Sequence, residues 1–319
     1  MGNYMGNSKP ERVGGSGTTR EADHASDKSD LNSLSEILRR IDHHAGDSAP
    51  AGESRLILEQ KPFEDRTAAA SKLGPLDMAE ELIGKAQDAS GSRRIEFARE
   101  ALNICEDCID AYVILAEESA RSLAAAKELY EQGVKAGERY LGAGAFENCS
   151  EISWSLPQTK AYMRARAGLA RCLWSLGQKQ DAISHCAEML RLNPADDQGV
   201  RYPLANWLLH EGLYDDLGNL FEAYPGDSTA AWLYTRALWA FTQEGWAEKA
   251  SSYLEEALKQ NPFVPSYLLG LKKMPGILPE HVEAGDEREA ISYIAEALNT
   301  WLKTEGALEW LIISLPRVL

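Results

Sequence analysis

Cys105 and Cys108 are the one pair in this sequence with the spacing of a redox dithiol or of half a zinc site. A structural zinc site needs four ligands, and Cys149, Cys172 and Cys186 offer no second close pair. A thioredoxin-like dithiol needs a βαβ setting, which the surrounding helical pattern does not give. Cys105 also falls near a helix C-terminus, where the dipole disfavours a thiolate. The two read as packing cysteines in a turn. His185 sits beside Cys186, but adjacent residues on a helix do not face one another, so one site cannot use both. His43 and His44 lie in a polar stretch where only weak metal capture is expected. The acid pairs Glu117-Glu118 and Glu255-Glu256 fall on helical patterns and read as solvated faces. A Gly-rich phosphate loop, an HExxH pair and a nucleophile elbow are all missing from the sequence. Met1-Gly2 begins like an acylation site, but Gly6 stands where Ser or Thr is wanted. These residues lead to the expectation of a non-enzyme with no catalytic residue, no metal and no cofactor.

Composition sets the class of partner. The chain has 319 residues, 44% of them hydrophobic, enough for a sizeable core. Its net charge of −16, from 49 acidic and 33 basic residues, argues against nucleic acid, whose binding runs on phosphate neutralisation by clustered cations. The same charge repels anionic membrane surfaces. The longest apolar run, around Trp310 to Leu315, falls far short of the roughly 20 residues that span a bilayer. The N-terminus lacks a basic-then-apolar signal pattern, and five cysteines fit free thiols in a reducing compartment, so the expected location is the cytoplasm.

The elements follow from periodicity. Residues 1–70 are rich in Gly, Ser, Asp and Ala and lack sustained periodicity, so a disordered tail is expected. One exception is a short helix over 30–43, where Leu31, Leu34, Ile37, Leu38 and Ile41 share a face. From 71 to 319 the pattern is helical. Gly177, Gly212 and Gly245 lie 35 and 33 residues apart, each placed at the turn between paired helices. Small residues repeat in register at Ala170, Ala182, Ala250 and Ala257, and Pro194 and Pro262 close second helices 68 residues apart. A period near 34 is that of the tetratricopeptide repeat (TPR). The expected fold is all-α, a TPR-like α-solenoid of antiparallel helix pairs, with clear repeats over about 163–262. Leu76–Ala89, Arg93–Cys105, Ile109–Ser122 and Ala124–Lys135 form two poorer pairs, and Gly137–Lys160 reads as an insertion. Residues 263–319, with helices over Asp286–Leu302 and Ala307–Leu315, are expected to cap the array.

In this register the first helices of the repeats direct one set of residues toward the concave side. These are Arg164, Ala167, Arg171 and Trp174; Tyr202, Asn206 and His210; and Trp232, Thr235, Trp239 and Gln243. Aromatic residues and arginines without an acid are unusual in so acidic a chain, and they are the side chains that dominate interface energies. The expected activity is a scaffold that binds a partner protein or peptide in this groove, with Arg forking onto an acidic or carboxylate group. Two other readings stay open. The tryptophans could pack between neighbouring helices while the arginines pair with acids on adjacent turns. The chain could also be a structural or regulatory subunit that self-associates through its C-terminal helices, given Trp301, Trp310 and the apolar stretch that follows.

Several segments carry a family resemblance: Tyr162–Ala170, Asn193-Pro194 with Asp197–Tyr202, Asn261–Leu269, Ile277–Val282 and Gly306–Leu311. Over about residues 95–315 the sequence resembles bacterial TPR proteins related to the suppressor of tumorigenicity 7 family. The stretch from Pro262 through Trp310 is its most specific part, because generic TPRs do not continue this way. The resemblance implies a helical repeat fold without established catalytic residues.

Overall fold

Gly177, Gly212 and Gly245 have positive φ angles of 83°, 73° and 64°. Glycine enters this left-handed region without a Cβ clash, so each can end one helix and turn the chain into the next. The computed structural model describes residues 74–142, 156–279 and 281–315. The expected tail, the helix over 30–43 with His43 and His44, Cys149 and most of the expected insertion lie outside the described residues.

The described residues are all helical or loop. Five sequential pairs come first: α1 (Pro75–Gln87) with α2 (Ser92–Ile104), α3 (Ile109–Glu118) with α4 (Leu123–Leu141), α5 (Pro157–Ser175) with α6 (Lys179–Leu192), α7 (Arg201–Glu211) with α8 (Tyr214–Ala223), and α9 (Ala230–Glu244) with α10 (Glu248–Gln260). The short α11 (Val264–Leu268), α12 (Glu287–Lys303) and α13 (Ala307–Ser314) follow. The members of each pair pack on one another and the pairs stack in order, which is a TPR-like arrangement. Ala170, Ala182, Ala250 and Ala257 are fully buried, as the close approach of paired helices demands. Among the described residues no helix is long and apolar enough to cross a membrane.

Two regions depart from the sequence reading. Gly137 does not begin an insertion; α4 runs through it to Leu141. The reason lies across the helix contact. A Cβ at Gly137 would drive into the ring of Tyr162 on α5, and one at Gly168 on α5 would drive into the ring of Tyr130 on α4. Each glycine makes the slot for the other helix's tyrosine, so here glycine marks close packing and not a break.

The second departure decides the site. α12 was expected to cap the open end of the stack. It packs instead across α7 and α9, the first helices of two successive repeats, the helices that in a stacked array of this kind face the concave side. Asp286 caps it through a 2.7 Å hydrogen bond from the Glu289 amide. Its apolar face, including Ala290, Tyr293, Ile294, Ala297 and Trp301, is buried. α13 packs beside the end of α12, and its Trp310 stacks on Phe241 of α9 with ring centroids 4.6 Å apart.

Candidate functional site

The seat of α12 is built from polar anchors around an apolar strip. Glu289 is 7% exposed and accepts three hydrogen bonds, from the Ala230 amide (2.8 Å), Asn261 Nδ2 (2.9 Å) and the Gly285 amide (2.7 Å). One carboxylate thus ties the start of α12 to the first turn of α9 and to the end of α10. Further along, Asn206 Nδ2 donates to the Glu296 carbonyl at 2.9 Å, and Thr300 Oγ1 donates to Asn206 Oδ1 at 2.8 Å. Lys303 Nζ donates to the His210 carbonyl at 2.6 Å, on the last turn of α7.

The α12 helix does not fill the concave side completely. Between α7, α9 and α12 a cleft of about 360 Å³ remains, with Pro203, Ala231, Tyr293 and Ala297 among its apolar walls. Arg171, Tyr202, Asn206 and Thr235 line it as well, so the fold brings four of the expected groove residues together. Several of the polar groups in the wall are already engaged. Asn206 is held by α12, the Tyr202 hydroxyl donates to Asp227 Oδ2 at 2.9 Å, and Thr235 is bonded to Tyr293. Arg171 differs, with its side chain 66% exposed and its guanidinium 3.6 Å from Glu296. Burial raises the Glu296 carboxyl above its ordinary value, and Arg171 only partly opposes this.

The remaining expected residues are placed otherwise. Trp232 is 1% exposed and is ringed by Tyr202, Phe221 and Tyr224, so it is core and not groove lining. Trp239 packs on Phe221 and donates from Nε1 to the Tyr214 carbonyl at 3.1 Å, at the contact of α8 with α9. For these two the inter-helix packing alternative holds. Arg164 pairs with Asp110 of α3 at 2.6 Å, an acid on another helix and not on an adjacent turn. Trp174 stacks on Trp207 with centroids 4.7 Å apart and meets His210 edge-on. His210 borders a second hollow of about 580 Å³, and burial together with Lys303 and Lys179 lowers its pKa. The exposed Gln243 bonds to its neighbour Thr242.

One wall of the cleft rests on a buried ion cluster. Arg201 bonds Asp196 Oδ2 at 2.8 Å and Asp227 Oδ2 at 2.7 Å and lies over the ring of Tyr202. Asp196 also accepts from the Val200 and Arg201 amides at the start of α7, and its own φ is positive, 53°. Burial pushes the Asp196 carboxyl up. Asp227 is also buried, but bonds from Thr229, Arg201 and Tyr202 outweigh that and hold it down.

Burial pushes the thiols of Cys108 and Cys186 up to about 12. Among the described residues no group of three or more His, Cys, Asp or Glu is placed to hold a metal ion.

The repeat register missed the contribution of α12, because Glu289, Ser292, Tyr293 and Glu296 stand outside any repeat. A signal was present: Glu289 and Glu296 share a helical face with Tyr293, Ala297 and Thr300, and acids on an apolar stripe need partners.

The pattern that defines the family described as ST7 protein matches residues 76–317. The chain belongs to that family. Its relatives include the suppressor of tumorigenicity 7 protein-like of Homo sapiens, 30% identical over 254 residues, covering 68% of this chain and 42% of that protein. The Bos taurus counterpart is 30% identical over 245 residues, covering 68% and 43%. The suppressor of tumorigenicity 7 protein of Macaca fascicularis is 28% identical over 237 residues, covering 66% and 43%. This ST7-family chain therefore spans less than half the length of these relatives, which are vertebrate proteins; they give no support to a bacterial origin. Among solved structures, YrrB, described as a TPR protein with an unusual peptide-binding site, is similar with a TM-score of 0.39 and 19% identity. That match covers 58% of this chain and 84% of that one. A likeness of that size bears on neither fold nor site.

Proposed function

We propose that this chain is a non-catalytic protein-interaction scaffold of the cytoplasm that receives a partner segment in the cleft between α7, α9 and α12. One observation carries the reading: an apolar-walled cleft with an exposed arginine at its rim, on the concave side of a helical repeat array. Repeat arrays of this kind use their concave surface for extended contacts. An apolar side chain of the partner would enter between Pro203, Ala231 and Tyr293, and a neighbouring carboxylate would meet Arg171. α12 narrows the groove from the whole concave face to this cleft, so the contact is a short anchor and not a long peptide track.

The test is affinity capture from the native source with the unaltered chain, Ala231→Trp and Arg171→Glu. Ala231→Trp fills the cleft from a half-buried wall position. Both variants are expected to lose the same partner bands. Undiminished recovery by both would contradict the proposal.

A further inference from the structure

A further hollow, of about 350 Å³, opens between α4, α5 and α6. Arg166, Leu169 and Leu173 bring one face of α5 to it, while Arg171, which borders the cleft, lies on the opposite side of that helix. Arg166 stands apart from the other partly buried arginines. Arg94, Arg191, Arg201 and Arg236 each pair with an acid: Glu118, Glu188, Asp196 with Asp227, and Glu256. Arg166 is partly buried as well, yet it makes no ion pair with any described residue; its Nη1 donates to the Tyr162 hydroxyl. In a chain of net charge −16 an arginine left without an acid is unexpected. Arg166 Nε and, on α6, His185 Nδ1 are also enclosed without a hydrogen-bond partner. Enclosed polar atoms are almost always paired, and here two unpaired ones belong to residues that border one hollow.

The rest of the lining sets the charge that fits. Lys127 is engaged by Glu131 at 2.6 Å, and Asp181 also borders the hollow. His185 adds no charge: burial, reinforced by Arg166, lowers its pKa to about 4 and leaves the ring neutral at pH 7. Arg166 is therefore the uncompensated cation among these groups, and the two acids oppose a multiply charged anion such as phosphate. The volume suits a small organic molecule, and the leucines give it an apolar wall. We propose that this hollow binds a monocarboxylate with a short apolar body, its carboxylate on Arg166 and its hydrocarbon against Leu169 and Leu173. A free acid and the C-terminus of a peptide carry that same group.

NMR of the imidazole resonances in the full chain tests this, with the signal lost in His185→Gln as reporter. Isovalerate is expected to shift that signal saturably, and isovaleramide, which has the same shape without the charge, to bind at least about tenfold more weakly. Arg166→Gln is expected to abolish the isovalerate shift, and Arg171→Glu, in the cleft, to leave it intact. Acetyl-Gly-Gly-Val run beside isovalerate separates the two sources, and either supports the site: tighter binding of the peptide assigns it to a chain terminus, tighter binding of isovalerate to a free acid. The proposal is overturned if neither carboxylate gives a saturable shift, or if isovaleramide matches isovalerate. It is also overturned if sodium chloride or inorganic phosphate gives the same shift, meaning an adventitious ion only, or if the shift persists in folded Arg166→Gln. The amide comparison uses the unaltered chain, so the test stands even where Arg166→Gln fails to fold. None of these outcomes bears on the cleft, which lies on the other side of α5.

Discussion

Removing the Glu289 carboxylate should loosen α12 from the concave face and lower the stability of the whole array. The side chain is 7% exposed and accepts from the Ala230 amide, Asn261 Nδ2 and the Gly285 amide at 2.7–2.9 Å. In Glu289→Ala three donors lose their acceptor together. A buried donor left without a partner costs about 1–3 kcal/mol. The cleft beside Glu289 admits water, which favours the low end for each, so the total should be about 3–5 kcal/mol. That is a large share of the roughly 5–15 kcal/mol typical of a folded domain. Glu289→Gln keeps the shape but turns an amide NH2 toward one of the donors, and should cost about 2 kcal/mol. Glu255→Ala, on an exposed face of α10, should stay within about 0.5 kcal/mol. Urea unfolding followed by circular dichroism gives the three values under one set of conditions. A loss below about 1 kcal/mol for Glu289→Ala would refute the reasoning, because it would mean the three donors are rehydrated at no cost and α12 is not pinned there.

Glycine substitutions should split by location. Gly168→Ala meets the Tyr130 ring and should destabilise by about 1–3 kcal/mol, whereas Gly84→Ala, in open space on α1, should stabilise by about 0.5–1 kcal/mol; thermal melts of the two variants give the sign. His185 should make the fold acid-sensitive. Burial, reinforced by Arg166, lowers its pKa from 6.5 to about 4, so the unfolded chain takes up the proton first as pH falls. Its contribution is therefore complete above about pH 6.5 and is lost down to about pH 4, by up to about 3 kcal/mol. His185→Gln should flatten that part of a stability–pH curve, and an unchanged slope would count against it.

The repeat core was legible because its signals are local. Gly177, Gly212 and Gly245 each end a helix within the unit they punctuate, and buried Ala182 and Ala250 each follow their glycine at the same short offset. Gly137 misled because glycine at a turn and glycine at a helix crossing look alike until the opposing Tyr162 is known, and that residue lies across the gap between two helices. The acids on the apolar stripe of α12 signal that it needs partners, but where it lies was not legible. Its partners Asn206 and Ala230 stand 90 and 59 residues away from Glu296 and Glu289, and no periodicity links them. The groove inherited that gap. Arg171, Tyr202, Asn206 and Thr235 line one cleft, but a side chain on a first helix can still be covered when a later helix returns over it. Trp232 fails for a different reason: a large aromatic on a first helix fits the groove and the inter-helix core equally in sequence, and packing against Phe221 and Tyr224 decided between them.

Site-specific photocrosslinking tests the cleft most directly. p-Benzoylphenylalanine placed at Gln198, an exposed residue at the rim of the cleft, and at Glu255, on an exposed face of α10, is irradiated in the full chain within its native source. A partner anchored in the cleft predicts a discrete crosslinked species from position 198 that is absent from position 255 and is lost when Arg171→Glu is added. Crosslinks from 255 but not 198, or a 198 product indifferent to Arg171, would contradict it.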